Sequence, residues 1–66
     1  MNAKQILTKV YGTLQANGYN AARQLRDYLL TGDPTYISDA DGARALICSV
    51  DRADLLAELL DRYLDA

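Results

Sequence analysis

Residues 51–64, DRADLLAELLDRYL, constrain the fold more than any other stretch of the chain. Leu55, Leu56, Leu59, Leu60, Tyr63 and Leu64 recur at three- and four-residue spacing, which is the period of an α-helix. The stripe is two leucines wide, broader than one neighbouring helix covers. One edge is therefore expected in the chain's own core and the other at a seam with a second copy. Asp51 stands at the N-cap of this helix, with Asp54 three residues on.

The preceding segments share the helical period. Ile6, Leu7, Val10, Tyr11 and Leu14 form one apolar stripe, and Asn17-Gly18 supplies its stop. Asn20 is a natural N-cap for a second helix, in which Ala21, Ala22, Leu25, Tyr28 and Leu29 recur while Arg23, Arg26 and Asp27 face away. Gly32 ends it. Ser38-Asp39-Ala40-Asp41 has the S-x-x-D form of a capping box and predicts a third helix with Ala43, Leu46, Ile47 and Val50 on its apolar face. Strand alternation, internal repeats and linkers are not visible, so residues 1–66 read as a single all-α domain.

Between the second and third segments lies TGDPTYI, residues 31–37. A phosphate cradle needs several glycine-permitted amides converging on one point with no acid beside them. Here there is one glycine, and Asp33 adjoins it. The segment reads as a corner: Asp33 bonds the turn backbone, Pro34 fixes φ near −65° at a short helical piece, and Tyr36 and Ile37 return to the core.

Size sharpens the expectation of a second copy. A 66-residue core rarely supplies more than about 3–5 kcal/mol, and chains of this length usually carry a staple. One cysteine, Cys48, excludes an intrachain disulfide, and one cysteine with no histidine excludes a four-ligand zinc site. Half the residues are apolar, which fits a homodimer. The lone cysteine points to a reducing, cytoplasmic compartment, and there is no apolar run of membrane length. A net charge of −2 argues against general attraction to nucleic acid or anionic lipid.

Candidate chemistry is sparse. Asp39-Ala40-Asp41-Gly42 resembles part of a calcium loop, but Ile37 and Cys48 fall where the first and twelfth ligands belong, so capping accounts for it better. Cys48 has no histidine to activate it and reads as a semi-buried thiol in mid-helix. The carboxylates stand at helix starts and on polar faces, which suits capping and solubility rather than acid/base catalysis. No catalytic residue, cofactor site or metal site is assigned, and the chain reads as a non-enzyme. The arginines hold more interest. Arg52 lies in the first turn of the last helix, at the positive end of its dipole, so a local acid such as Asp51 or Asp54, or an acidic partner, should offset it. Arg44 lies on the flank of the third helix, away from its apolar face. With Arg23 and Arg26 these form a candidate partner-binding patch.

Taken together, VYGTLQANGYN, LLTGDPTYIS, Ala43-Arg44 and DRADLLAELLDRYL resemble the IreB/ReoM-like regulatory phosphoproteins of Gram-positive bacteria, in order and spacing, from about Val10 to Leu64. The resemblance implies a non-enzymatic, all-helical homodimer. It would be a substrate of Ser/Thr kinases with PASTA-type ectodomains and of their partner phosphatase. Its role would be control of cell-envelope (peptidoglycan) synthesis and antibiotic tolerance, in some members through Clp-protease turnover. Three departures accompany it. The family's phosphoacceptor threonine lies in a tail ahead of the first helix, whereas this sequence begins almost at that helix, as a short member without that tail. Thr8 is the nearest threonine and lies inside the predicted helix. Cys48 stands where the family has a second arginine four residues after Arg44. Ala21-Ala22-Arg23 replaces a proline-containing stretch, although Gln24 is kept.

The expectation is thus an all-α, four-helix protomer with a short extra turn near Pro34, dimerising through Leu55, Leu56, Leu59, Leu60, Tyr63 and Leu64. It would act in the cytoplasm as a regulatory adaptor that binds kinase, phosphatase or Clp-adaptor partners through Arg44 and Arg52, and more weakly through Arg23 and Arg26. The alternative is a small helix-turn-helix-like DNA-binding regulator using the third helix, which carries only Arg44 as a base.

Overall fold

A computed structural model describes residues 1–65. Four helices follow in order: α1 (Ala3–Ala16), α2 (Ala21–Thr31), α3 (Ala43–Ile47) and α4 (Arg52–Leu64). Two single-turn 3-10 pieces, Pro34–Tyr36 and Ala40–Gly42, stand between α2 and α3. The all-α architecture is as the periodicity predicts, with one more short turn than the corner at Pro34 alone. Among the described residues, no helix is long and apolar enough to cross a membrane.

The ends of α1 and α2 are written locally. Asn2 Oδ1 accepts from Gln5 N at 2.8 Å while Gln5 Oε1 accepts from Asn2 N at 3.0 Å, so Asn-x-x-Gln closes a reciprocal capping box on α1. Asn20 Oδ1 accepts from Arg23 N at 3.1 Å and starts α2. Gly32 stops α2 in the left-handed region, φ 73°, with its N–H donating to Tyr28 O at 2.7 Å. A side chain at that φ would be strained.

The core is centred on α1. Ile6, Val10 and Leu14 are buried along its length, against Ala21, Leu25 and Tyr28 of α2, Ile37, Ala43 and Ile47, and Leu55 of α4. Leu7, Leu29, Leu46 and Val50 pack around them. A fully buried leucine contributes about 1.5–3 kcal/mol, so Leu14, Ile37, Ile47 and Leu55 carry much of the fold.

The TGDPTYI segment is a corner. Asp33 Oδ1 accepts from Thr35 N at 3.0 Å and from Thr35 Oγ1 at 2.7 Å, and Pro34 starts the 3-10 turn. Ile37 is fully buried, but Tyr36 is 46% exposed, against the expectation that both return to the core. A turn of three residues brings only one of two adjacent side chains inward. Gln24 reaches across from α2, its Oε1 accepting from Ser38 N at 2.9 Å, and fixes where the corner ends.

The third helix differs most from expectation. Ser38 Oγ accepts from Ala40 N at 3.1 Å, a tight local turn, so the S-x-x-D box does not open α3. Asp41 sits at φ 50°, ψ 32° and Gly42 at φ 77°, and two consecutive left-handed residues break any helix begun at Asp39. Regular helix starts at Ala43 and ends at Ile47. Cys48 is therefore a C-cap residue rather than a mid-helix one, and it is exposed rather than semi-buried. At the start of α4, the Asp51 backbone carbonyl, not its carboxylate, receives Asp54 N at 3.0 Å.

Candidate functional site

Two surfaces stand out: the arginines around the corner and the leucine face of α4. The arginines do not merge into one patch. Arg44 is half-buried, and its Nε donates to Ile37 O at 2.9 Å, so it braces the exit of the corner instead of standing free on a flank. Its charge also reaches Asp33, whose carboxyl is held below the usual carboxylate range chiefly by Thr35's hydroxyl and N–H, with desolvation opposing and Arg44 adding the smallest contribution.

Arg52 finds a different partner from the one its position suggested. Its Nη1 donates to Leu29 O at 3.0 Å, a carbonyl in the last turn of α2. The cation that opposes its own helix dipole thus meets the negative end of another, which offsets the penalty. The guanidinium lies over Gly32, with Cζ 2.8 Å from where a Cβ would stand. Gly32 serves twice here, for the left-handed cap and for this close approach. Arg44 and Arg52 therefore engage adjoining parts of the same corner, one through Asp33 and Ile37, the other through Leu29 and Gly32. Tyr28 lies under this junction. Burial first, then the Cys48 thiol beside its hydroxyl, raise its pKa above the ordinary tyrosine value, and Arg52 opposes that rise.

Arg23 and Arg26 sit elsewhere on α2. Arg26 Nε pairs with Asp27 Oδ1 at 2.9 Å, an exposed neighbour pair worth little to stability. Among the described residues Arg23 has no salt-bridge partner, and it borders a small polar cleft with Gln24, Asp27 and Tyr36.

The α4 stripe divides unequally. Leu55 alone is buried in the protomer, whereas Leu60 is 56%, Leu64 73% and Tyr63 83% exposed, and Leu56 and Leu59 lie open beside them. Leu56 and Leu59 form one wall of an apolar groove of about 710 Å³, completed by Leu7 and Tyr11 of α1 and Leu25, Leu29 and Leu30 of α2. The arginine in its lining is Arg26 of α2. Sequence reasoning found the wide stripe but not the groove, because the groove needs Leu30, which lies off the apolar stripe of α2.

With five residues, α3 is too short to fill a major groove as a recognition helix, and Arg44 is its one base. The helix-three route to DNA thereby loses its reading element. Among the described residues, no three His, Cys, Asp or Glu side chains gather as a metal site requires.

A family model described as IreB regulatory phosphoprotein matches residues 1–65, essentially the whole chain. The chain belongs to that family.

Proposed function

We propose, taking membership of the IreB regulatory phosphoprotein family as the premise, that this protein is a non-enzymatic regulatory adaptor that works as a homodimer through protein–protein binding. In this reading it is a cytoplasmic regulator that resembles the substrates of PASTA-type Ser/Thr kinases and their phosphatase, and it controls cell-envelope (peptidoglycan) synthesis and antibiotic tolerance through protein binding.

The observation that carries the reading is the contiguous apolar surface formed by Leu56, Leu59, Leu60, Tyr63 and Leu64, running into the groove between α1, α2 and α4. Apolar patches of that kind mark interaction surfaces. Leu55 serves the protomer's own core, and the seam falls to the other five. The arginines supply a second, polar surface. A guanidinium carries five N–H donors, and Arg44 and Arg52 each place one on a backbone carbonyl, which leaves donors for a partner's carboxylate or phosphate. Arg23 and Arg26, elsewhere on α2, are separate and weaker candidates for partner contact.

Reconstitution tests the reading. The purified chain is incubated with the cytoplasmic domain of its host's PASTA-type kinase, the product is mapped by mass spectrometry, and binding to kinase, phosphatase and Clp adaptors is titrated individually. Wild type should bind at least one of these and lose affinity in an Arg44→Ala, Arg52→Ala variant that keeps wild-type helicity. Saturable binding to none of them, with no phosphate incorporated, would overturn the reading.

A further inference from the structure

We propose that Asn17–Gly18 is a deamidation site, and that its conversion releases the clamp joining the end of α1 to the turn at residues 40–42. The chain has three asparagines, and only Asn17 is followed by glycine; Asn2 and Asn20 both precede alanine. With no Cβ on the following residue, the backbone nitrogen has an open approach to the asparagine side chain.

The step is intramolecular and needs only water. The Gly18 nitrogen, losing its proton to solvent, attacks Asn17 Cγ. The Cγ–Nδ2 bond breaks, the nitrogen leaves as ammonia, and a five-membered succinimide forms. Water then opens the ring at either carbonyl, giving aspartate or its isoaspartyl isomer. No electrons are exchanged with an outside reagent.

Both reacting groups are engaged in the folded chain. Gly18 N donates to Gln15 O at 3.0 Å. Asn17 Nδ2 donates to Thr13 O at 2.8 Å and to Asp41 Oδ2 at 3.1 Å. The reaction therefore proceeds when the last turn of α1 opens, the kind of local fraying that helix ends undergo. The consequence is specific to this structure. Nδ2 is the donor that ties α1 to Asp41, the non-glycine residue held at φ 50°. After conversion, a carboxylate faces the Thr13 carbonyl and the Asp41 carboxylate, so two donated bonds are lost and like charges meet. The turn that leads into the buried Ala43 loses this side-chain tether to α1, while its packing contacts with α1 remain.

The test has two arms. The full chain is aged in mildly alkaline buffer, native and in urea, and the amide-to-acid mass shift is mapped by peptide. The shift should appear at Asn17 ahead of Asn2 and Asn20, and about tenfold or more faster in urea, where the turn is open. In the second arm, Asn17→Asp should melt below wild type at neutral pH, and adding Asp41→Asn should restore part of the loss by supplying a new donor. Equal conversion at all three asparagines, equal rates with and without urea, or an Asn17→Asp chain that melts like wild type would each overturn the proposal. So would a double variant no more stable than Asn17→Asp alone.

Discussion

Helices α1 and α4 are of similar length and both carry an apolar stripe, yet they are used in opposite ways. Along α1, three side chains, Ile6, Val10 and Leu14, are buried at successive turns. Along α4 only Leu55 is, and the leucines and tyrosine after it face outward. The same periodicity thus yields a core helix in one case and a display helix in the other. The difference lies in the neighbours: α1 packs against α2, α3, α4 and the turn at residues 40–42, whereas α4 packs mainly against α1 and sends only Leu55 into the core. Periodicity tells which face of a helix is apolar, and the count of surrounding elements decides how much of that face the chain itself covers.

The sharpest way to break this comparison is to truncate matched leucines. Leu14→Ala is expected to cost about 2–5 kcal/mol, enough to unfold much of so small a domain. Leu60→Ala, compared at dilutions where the chain is monomeric, should stay within about 0.5 kcal/mol of wild type. Urea midpoints with unchanged slopes read both values. Equal losses would mean that α4 is as much a core element as α1.

The corner gives a smaller effect. Gly32→Ala should cost about 1 kcal/mol from the left-handed φ, and more while Arg52 occupies the space its Cβ needs. Repeating the substitution in an Arg52→Ala background should shrink its cost, and strict additivity would show that the guanidinium yields freely. Asn20→Ala, removing the cap of α2, is expected to cost about 1 kcal/mol in the same assay.

The acid limb provides the mildest test. The folded pKa of Asp33 is depressed, so its contribution is present above the unfolded pKa, about 3.9, and is lost as pH falls through the folded value. An Asp33→Asn variant should therefore differ from wild type at neutral pH and converge with it in melts taken at the acid end. A constant offset across the range would show that the carboxylate's charge is not what Thr35 stabilises.

Much of this fold is legible residue by residue. Asn20, Gly32 and Asp33-Pro34 each act through their own backbone chemistry, which is local, and each stands where its residue type implies. Ser38 and Cys48 do not, because two consecutive left-handed residues, Asp41 and Gly42, cut short the helix that would have begun at one and run past the other, and aspartate signals that conformation weakly. Tyr36 does not because the short turn before it brings only Ile37 inward. The arginines show the same limit. That Arg52 needed a compensating partner follows from its place at a helix start, but the partner is a carbonyl 23 residues away, which no spacing rule reaches. The wide α4 stripe announces surplus apolar surface, while the groove beside it exists only once three helices are assembled.

Sedimentation equilibrium over a wide concentration range, on wild type beside a Leu59→Lys, Leu60→Asn variant, tests most directly whether α4 is a display helix. Wild type should approach twice the 7.3 kDa mass of one chain, and the variant should stay at one chain mass with unchanged helical circular dichroism. A wild type that remains monomeric throughout, or a variant that associates as wild type does, would contradict that role.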